Sequence, residues 1–340
     1  MGVRCSCLSP PDRHLEVLSR NTTPTSTPVE PIDYHEEPVA LAQLHPCVRD
    51  IFDQLRSKTP VRDIKLQGKE LGNQGALHLG LLLEHTLELR RLDVRECSFQ
   101  WEGIANISLS LRRLRLLEVL EVSGNDLGLR GAQYLASALG FLKGLKTLGL
   151  SGTNLGAKGV RLVSQKLREL QGLEELILSD NHMCDDGGEE LSRSLHFCTN
   201  LRLLDLSSNT LRDSLQHLQR PLRLLPLLQV LKLDCNQLGD TGADVLSDTL
   251  VSLPDLRHLD LSYNDFTSLG IKSLQVGISS LFELRELYLE GNSVGKEGGL
   301  ALANAVSGLS KLQVMGLVNS GAREVRTELR LAAPAVDILL

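Results

Sequence analysis

From Val61 onward the chain repeats itself at a fixed interval. Segments that fit L-x-x-L-x-L-x-x-N-x-L begin at Val61, Leu89, Leu117, Leu145, Leu173, Leu201, Leu228, Leu256, Leu284 and Leu312. Each step is 28 residues except the one from Leu201 to Leu228, which is 27. A period this short cannot enclose a core within one unit, so neighbouring units must stack and share one. Composition fits thin layers: leucine fills 75 of 340 positions while aromatic residues make up 3%.

Each part of the unit has a physical role. The L-x-L stretch, as in Leu120-Glu121-Val122 or Leu259-Asp260-Leu261, is predicted as a short strand with one apolar face. Three residues beyond its last leucine stands Asn at 125, 181, 209, 236, 264 and 292. Turned inward, that amide can satisfy turn backbone groups that would otherwise be buried unpaired. Lys69, Cys97, Thr153 and Ser320 replace it in the other copies. Cys97 and Thr153 keep one donor, whereas Lys69 is a poorer substitute.

The second half of each unit has helical periodicity. Ala132, Leu135, Leu139 and Leu142 are spaced 3, 4 and 3, and so are Ile271, Leu274, Ile278 and Leu281. This predicts an amphipathic helix of about three turns lying against the strands. Gly opens nearly every such segment, at 75, 103, 131, 159, 187, 242, 270 and 298. It serves either a special backbone angle or close packing between units.

The 28-residue strand–loop–helix unit, with stretches such as LEVLEVSGNDLGLRGAQYLASAL, resembles the ribonuclease-inhibitor-like leucine-rich repeats. The resemblance implies an α/β solenoid, a right-handed horseshoe with a parallel sheet on the concave side and helices on the convex side. It covers 61–322 as ten repeats. It also implies binding of proteins, mostly without catalysis.

Both open ends of such a stack need covers. Over 41–60, Leu44, Val48, Ile51, Phe52 and Leu55 share one helical face between Pro46 and Thr59-Pro60, which predicts an N-terminal capping helix. Over 323–340, Val325, Leu329, Val336 and Ile338 are left to close the far end. The sixth repeat lacks one residue, has Ser214 in place of Gly, and carries Pro221 in its helix. Proline there shortens or kinks the helix. This is either a tolerated irregularity or a local change of curvature.

Residues 1–40 have a different character. Pro, Ser and Thr dominate 8–40, a composition that cannot bury a core and predicts a disordered tether. Met1-Gly2-Val3-Arg4-Cys5-Ser6 fits the myristoylation pattern at Gly2, and Cys5 and Cys7 are placed to add palmitate. The alternative is a chance match. No apolar stretch of a secretory signal is present, so the seven cysteines are expected reduced, in the cytoplasm, with peripheral membrane attachment through acylation. The sequons at Asn21 and Asn106 are then idle. No run reaches the roughly 18 apolar residues of a membrane span.

No catalytic pattern emerges. Gly291 to Lys296 falls one residue short of a phosphate-binding loop and lacks its hydroxyl. Neither G-x-S-x-G nor H-E-x-x-H occurs, and the cysteines lack zinc spacing. No metal, no cofactor and no enzymatic activity are expected. A net charge of −6 argues against a nucleic-acid partner.

Side chains flanking the strand leucines face inward. The third, fifth, seventh and eighth residues of the ten copies include eleven acids and four bases. That face favours a basic protein partner. Tyr263 and Tyr288 lie on it beside His258, Asp260, Glu286 and Glu290, and tyrosine is enriched at binding hot spots. These six form the candidate protein-binding site. Trp101 is expected in loop packing, and Phe99 and Phe266 in the core. The expected function is a monomeric, non-enzymatic scaffold or regulator. The alternative is an accessory regulator of an enzyme, either a GTPase activator or an occluding inhibitor.

Overall fold

The computed structural model describes residues 44–340. Gly2, Cys5, Cys7 and the tether expected over 1–40 lie outside the described residues. The chain divides at Leu44, and His45–Leu340 forms one unit that holds every element below.

The strands are each three residues long, and in the first ten the central residue is buried. They are β1 (Asp63–Lys65), β2 (Arg91–Asp93), β3 (Val119–Glu121), β4 (Thr147–Gly149) and β5 (Glu175–Ile177). The sheet continues through β6 (Leu203–Asp205), β7 (Val230–Lys232), β8 (His258–Asp260), β9 (Glu286–Tyr288), β10 (Val314–Gly316) and β11 (Asp337–Leu339). All pair in parallel and in chain order, with Leu92 level with Leu120 and Leu120 with Leu148. The strand therefore starts one residue earlier than L-x-L implies. The ladder nevertheless runs on past it: Val94 N–H donates to Glu121 O at 2.9 Å and Glu96 N–H to Ser123 O at 2.9 Å. Among the described residues the sheet has eleven strands rather than ten. Ile338 does not simply lie over the end of the stack, because its backbone adds a strand beside β10. Val325 and Leu329 supply the buried cover.

The helices form the outer layer: α1 (Arg49–Arg56), α2 (Gly72–Leu83), α3 (Trp101–Leu111), α4 (Gly128–Leu139), α5 (Gly156–Leu167) and α6 (Cys184–Leu195). They continue as α7 (Leu215–Leu222), α8 (Gly239–Leu250), α9 (Ser268–Ser279), α10 (Gly295–Val306) and α11 (Arg326–Ala332). The predicted stripes are buried, with Ala132, Leu135, Leu139 and Leu142 fully so. Within the expected N-terminal cap the helix itself is only α1, where Ile51 and Phe52 are buried. Phe99 and Phe266 are core. Trp101 is instead the first residue of α3, its ring stacked 6.2 Å from Tyr134 beneath the Arg130 guanidinium.

The two readings of the glycine separate. Gly131 lies inside the first turn of α4, where a Cβ would meet Leu127 Cβ at 2.6 Å and Ile104 Cγ2 at 3.2 Å, so close packing is its role. The left-handed angle falls three residues earlier, at Gly128 with φ 56°. In the sixth repeat α7 has eight residues against twelve in α6 and α8, preceded by a 3-10 turn at Arg212–Ser214. Ser214 fits because Gly188 faces it; a Cβ on Gly188 would lie 2.7 Å from Ser214 Cβ.

The asparagine ladder forms as its chemistry requires. Asn209 Nδ2 donates to Leu178 O at 2.9 Å and Leu206 O at 3.1 Å, and Oδ1 accepts from Asn181 N–H and Met183 N–H. Cys97 Sγ, Thr153 Oγ1 and Ser320 Oγ each donate to one carbonyl instead. Each asparagine thus ties its own turn to that of the preceding layer.

Candidate binding surface on the concave sheet

Adjacent strands place equivalent residues side by side, so residues about 28 apart in sequence become neighbours. His258 and Asp260 on β8 stand beside Glu286 and Tyr288 on β9. His258 Nδ1 lies 2.8 Å from Glu286 Oε2, and its ring is 5.4 Å from that of Tyr288. Tyr288 OH donates to Glu286 Oε2 at 3.4 Å. Burial, with the nearby charges of Glu286, Asp260 and Glu290, raises the Tyr288 hydroxyl above the usual phenol range, so it stays a donor. His258 Nε2 is buried without a hydrogen-bond partner among the described residues.

Tyr263 stands just past β8 with φ 54°, left-handed like the eighth residue of every copy. The chain needs that angle to leave the strand for the loop, and four copies meet the need with glycine. Tyr263 keeps 40% of its surface exposed. Its ring lies over Gly291 in the next repeat, where any Cβ would overlap it. Tyr288 is seated in the same way: a Cβ on Gly316 would meet its Cδ1 at 2.7 Å and Glu290 Oε1 at 2.8 Å. Both tyrosines therefore rest on a glycine of the following layer.

Five of the six candidate residues line one open concavity of about 390 Å³: His258, Asp260, Tyr263, Tyr288 and Glu290. Glu286 is not part of that lining but is joined to it through His258. Lys232, Asp234, Cys235 and Ser262 complete the lining. Cys235 and Ser262 were not anticipated as site residues. Their signal was available, since they occupy the eighth and seventh positions of adjoining copies. The supporting glycines were equally legible, because Gly316 stands at the strand position where Asp260 and Tyr288 stand in the two preceding repeats.

The acids on this face do not behave alike. Asp93 is buried against Arg95, Oδ2 to Nη2 at 2.6 Å; burial acts to raise its pKa, but the Arg95 hydrogen bonds and charge bring it below the usual value. Glu121 is pushed up by burial. Asp234 is raised by burial and by Asp260 and Asp205. Ser207 Oγ stands 2.7 Å from Asp205 Oδ1 and 2.6 Å from Asp234 Oδ1. One hydroxyl has one proton to donate, so a raised Asp234 fits that geometry. Around the concavity, negative charge exceeds what the local bases neutralise. Such a surface suits a cationic side chain, which the two rings can also contact.

Among the described residues no helix is long and apolar enough to cross a membrane. A leucine-rich-repeat family model matches residues 113–136, 169–192, 197–214, 225–247, 252–274 and 283–303, and each segment contains one strand of the sheet. The chain is 35% identical over 89 residues to ribonuclease inhibitor of Mus musculus, a match covering 26% of this chain and 19% of that protein. It is 34% identical over 88 residues to ribonuclease inhibitor of Sus scrofa, with the same coverage of each. It thus spans about a fifth of the length of the curated relatives it matches. Repeats with this consensus generally mediate protein–protein interaction. The matched segments and the repeated strand–loop–helix stacking are those of leucine-rich repeats, similar to the repeats of ribonuclease inhibitor.

Proposed function

We propose that this is a non-enzymatic interaction protein that holds a basic protein partner against its acidic concave face. Its centre is the concavity lined by Asp234, His258, Asp260, Tyr263, Tyr288 and Glu290, with Glu286 bonded to His258. The observation that carries the reading is two half-exposed tyrosines, each seated on a glycine, walling a pocket of carboxylates. Asp234 is raised by burial first and by repulsion from Asp260 and Asp205 next, and a lysine or arginine side chain entering there offsets that repulsion. The rings supply rigid contact area at low entropic cost. The protein acts as a monomer in the cytoplasm, and acylation of Gly2, Cys5 and Cys7 would tether it to a membrane.

The test compares proteins retained by the wild-type chain with those retained by Tyr288→Ala and Tyr263→Ala. Specific partners should be lost about tenfold or more, the scale of a hot-spot residue. Retention of the same proteins in the same amounts removes the concave cluster from the function. For the anchor, Gly2→Ala should lower the membrane fraction; an unchanged fraction removes it.

A second reading is regulation of an enzyme, as a GTPase activator or an occluding inhibitor. It draws on the relatives, which are named ribonuclease inhibitors. Addition of the purified chain to ribonuclease and GTPase assays separates the two readings. No effect on either favours the scaffold.

A further inference from the structure

The two rims of the solenoid differ in chemistry. Nine loops lead from a helix to the next strand between β1 and β10: 84–90, 112–118, 140–146, 168–174, 196–202, 223–229, 251–257, 280–285 and 307–313. Because the strands are parallel in one sheet, all nine leave the same edge. They contain twelve Arg and Lys against seven Asp and Glu. The nine loops from β1–β9 to the following helices, on the opposite rim, contain three against eight.

Helix dipoles favour bases at helix C-termini and acids at N-termini, and so explain part of that asymmetry. They do not explain the apolar residues. Seven large exposed apolar side chains lie in the helix-to-strand loops, among them Leu116, Phe141, Leu224 and Phe282 at 47%, 39%, 48% and 64% exposure. In the opposite loops only Tyr263 is of this kind. Phe141 stands with the Arg115 and Arg112 guanidinium groups 5.2 and 5.6 Å from its ring centre. Arg112, Arg113 and Arg115 form no ion pair among the described residues, although Arg115 Nη1 donates to Phe141 O at 3.2 Å. By contrast, Arg90, Lys143, Lys146, Arg168, Arg202, Arg223 and Lys311 on the same rim are ion-paired.

Exposed rings and leucines interleaved with unpaired arginines are the chemistry that sits at a membrane–water boundary. At about 4.8 Å per strand the rim is roughly 40 Å long. Over that length an anionic bilayer offers both phosphates for the arginines and apolar depth for the side chains between them. We propose that the helix-to-strand rim docks on anionic membrane surfaces. The docking needs neither the concave site nor acylation of Gly2.

The experiment uses the full chain carrying Gly2→Ala, which cannot be myristoylated. It is pelleted with vesicles of phosphatidylcholine alone, or of phosphatidylcholine and phosphatidylserine in equal parts. Binding should be about tenfold or more stronger to the mixed vesicles and should weaken as salt rises from roughly 0.1 M to 1 M. Arg113→Glu with Arg115→Glu, and separately Phe141→Ser with Phe282→Ser, should each reduce it about tenfold without changing the thermal melt. Tyr263→Ala with Tyr288→Ala should leave it unchanged. No preference for phosphatidylserine, or rim variants that bind like their parent, would overturn the proposal.

Discussion

The ring of Tyr263 occupies the space that a side chain on Gly291 would need. The two residues are 28 apart in sequence and equivalent in consecutive repeats. Both have a left-handed backbone, φ 54° and 67°. In one copy that position carries the largest side chain it holds anywhere in the stack; in the next it carries none. The glycine is a floor for the tyrosine as well as a turn, so the candidate surface depends on residues that would contact no partner themselves.

Gly291→Ala tests that floor. An L-residue at this angle costs about 1–2 kcal/mol, and the methyl must also displace the Tyr263 ring. The chain is expected to lose about 1–3 kcal/mol in denaturant unfolding. Adding Tyr263→Ala should recover part of the loss, since the overlap is then gone. Strictly additive losses would show that the ring does not press on Gly291.

Asn209→Ala tests the ladder. The fully buried amide donates to the Leu178, Leu206 and Ser207 carbonyls and accepts from two backbone N–H groups. Its removal orphans those groups at a cost of about 2–4 kcal/mol. Hydrogen exchange should quicken first in the fifth and sixth repeats, whose turns the amide joins. Uniform acceleration across the stack would instead indicate global unfolding.

Asp234 makes stability depend on pH with a stated sign. Its folded pKa is raised, by burial first and by Asp260 and Asp205 next. Between the ordinary value of 3.8 and the raised one, the folded chain holds a proton that the unfolded chain has lost. Stability therefore falls as pH rises through that window. Asp234→Asn should melt higher than wild type at neutral pH and match it below the window. A variant melting lower at neutral pH would contradict the raised value. In the same acid range a basic partner should bind more weakly, because Asp234 is then neutral.

The thiols should divide by burial. Cys198 is pushed up to about 12 by burial, and Cys97 to about 11, chiefly by burial. At mildly alkaline pH very little of either is thiolate, and neither is accessible. Iodoacetamide followed by peptide mass mapping should find Cys184, which is exposed, labelled in the folded chain. Cys97 and Cys198 should react only after denaturation. Early labelling of Cys198 would mean that α6 opens locally.

The repeat reading carried the fold because each repeat presents the same local problem. One strand leucine must be covered, and one turn must be satisfied by an inward amide. Leu120 and Asn125 announce both needs in their spacing alone. The eleventh strand was not legible. The tail around Ile338 breaks the pattern, and its pairing is driven by the exposed edge of β10 rather than by its own residues. Trp101 was misplaced for a related reason: its partners, Arg130 and Tyr134, come from the next repeat.

His258, Asp260, Tyr263, Glu286, Tyr288 and Glu290 could be grouped from the sequence, since the register of a solenoid turns sequence offset into sideways distance. What periodicity could not supply is how side chains share space across layers. Gly188 makes room for Ser214, Gly291 underlies Tyr263, and Gly316 underlies Tyr288. The charge of the two rims is likewise written along the chain, but it becomes a property of one surface only when parallel stacking brings the nine loops to one edge. Leucine spacing by itself determined a stack of thin layers, because a short repeat has no other way to bury its apolar residues. Which polar residues meet across those layers was decided only by the tertiary structure, because such contacts depend on the volume left by residues a full repeat away.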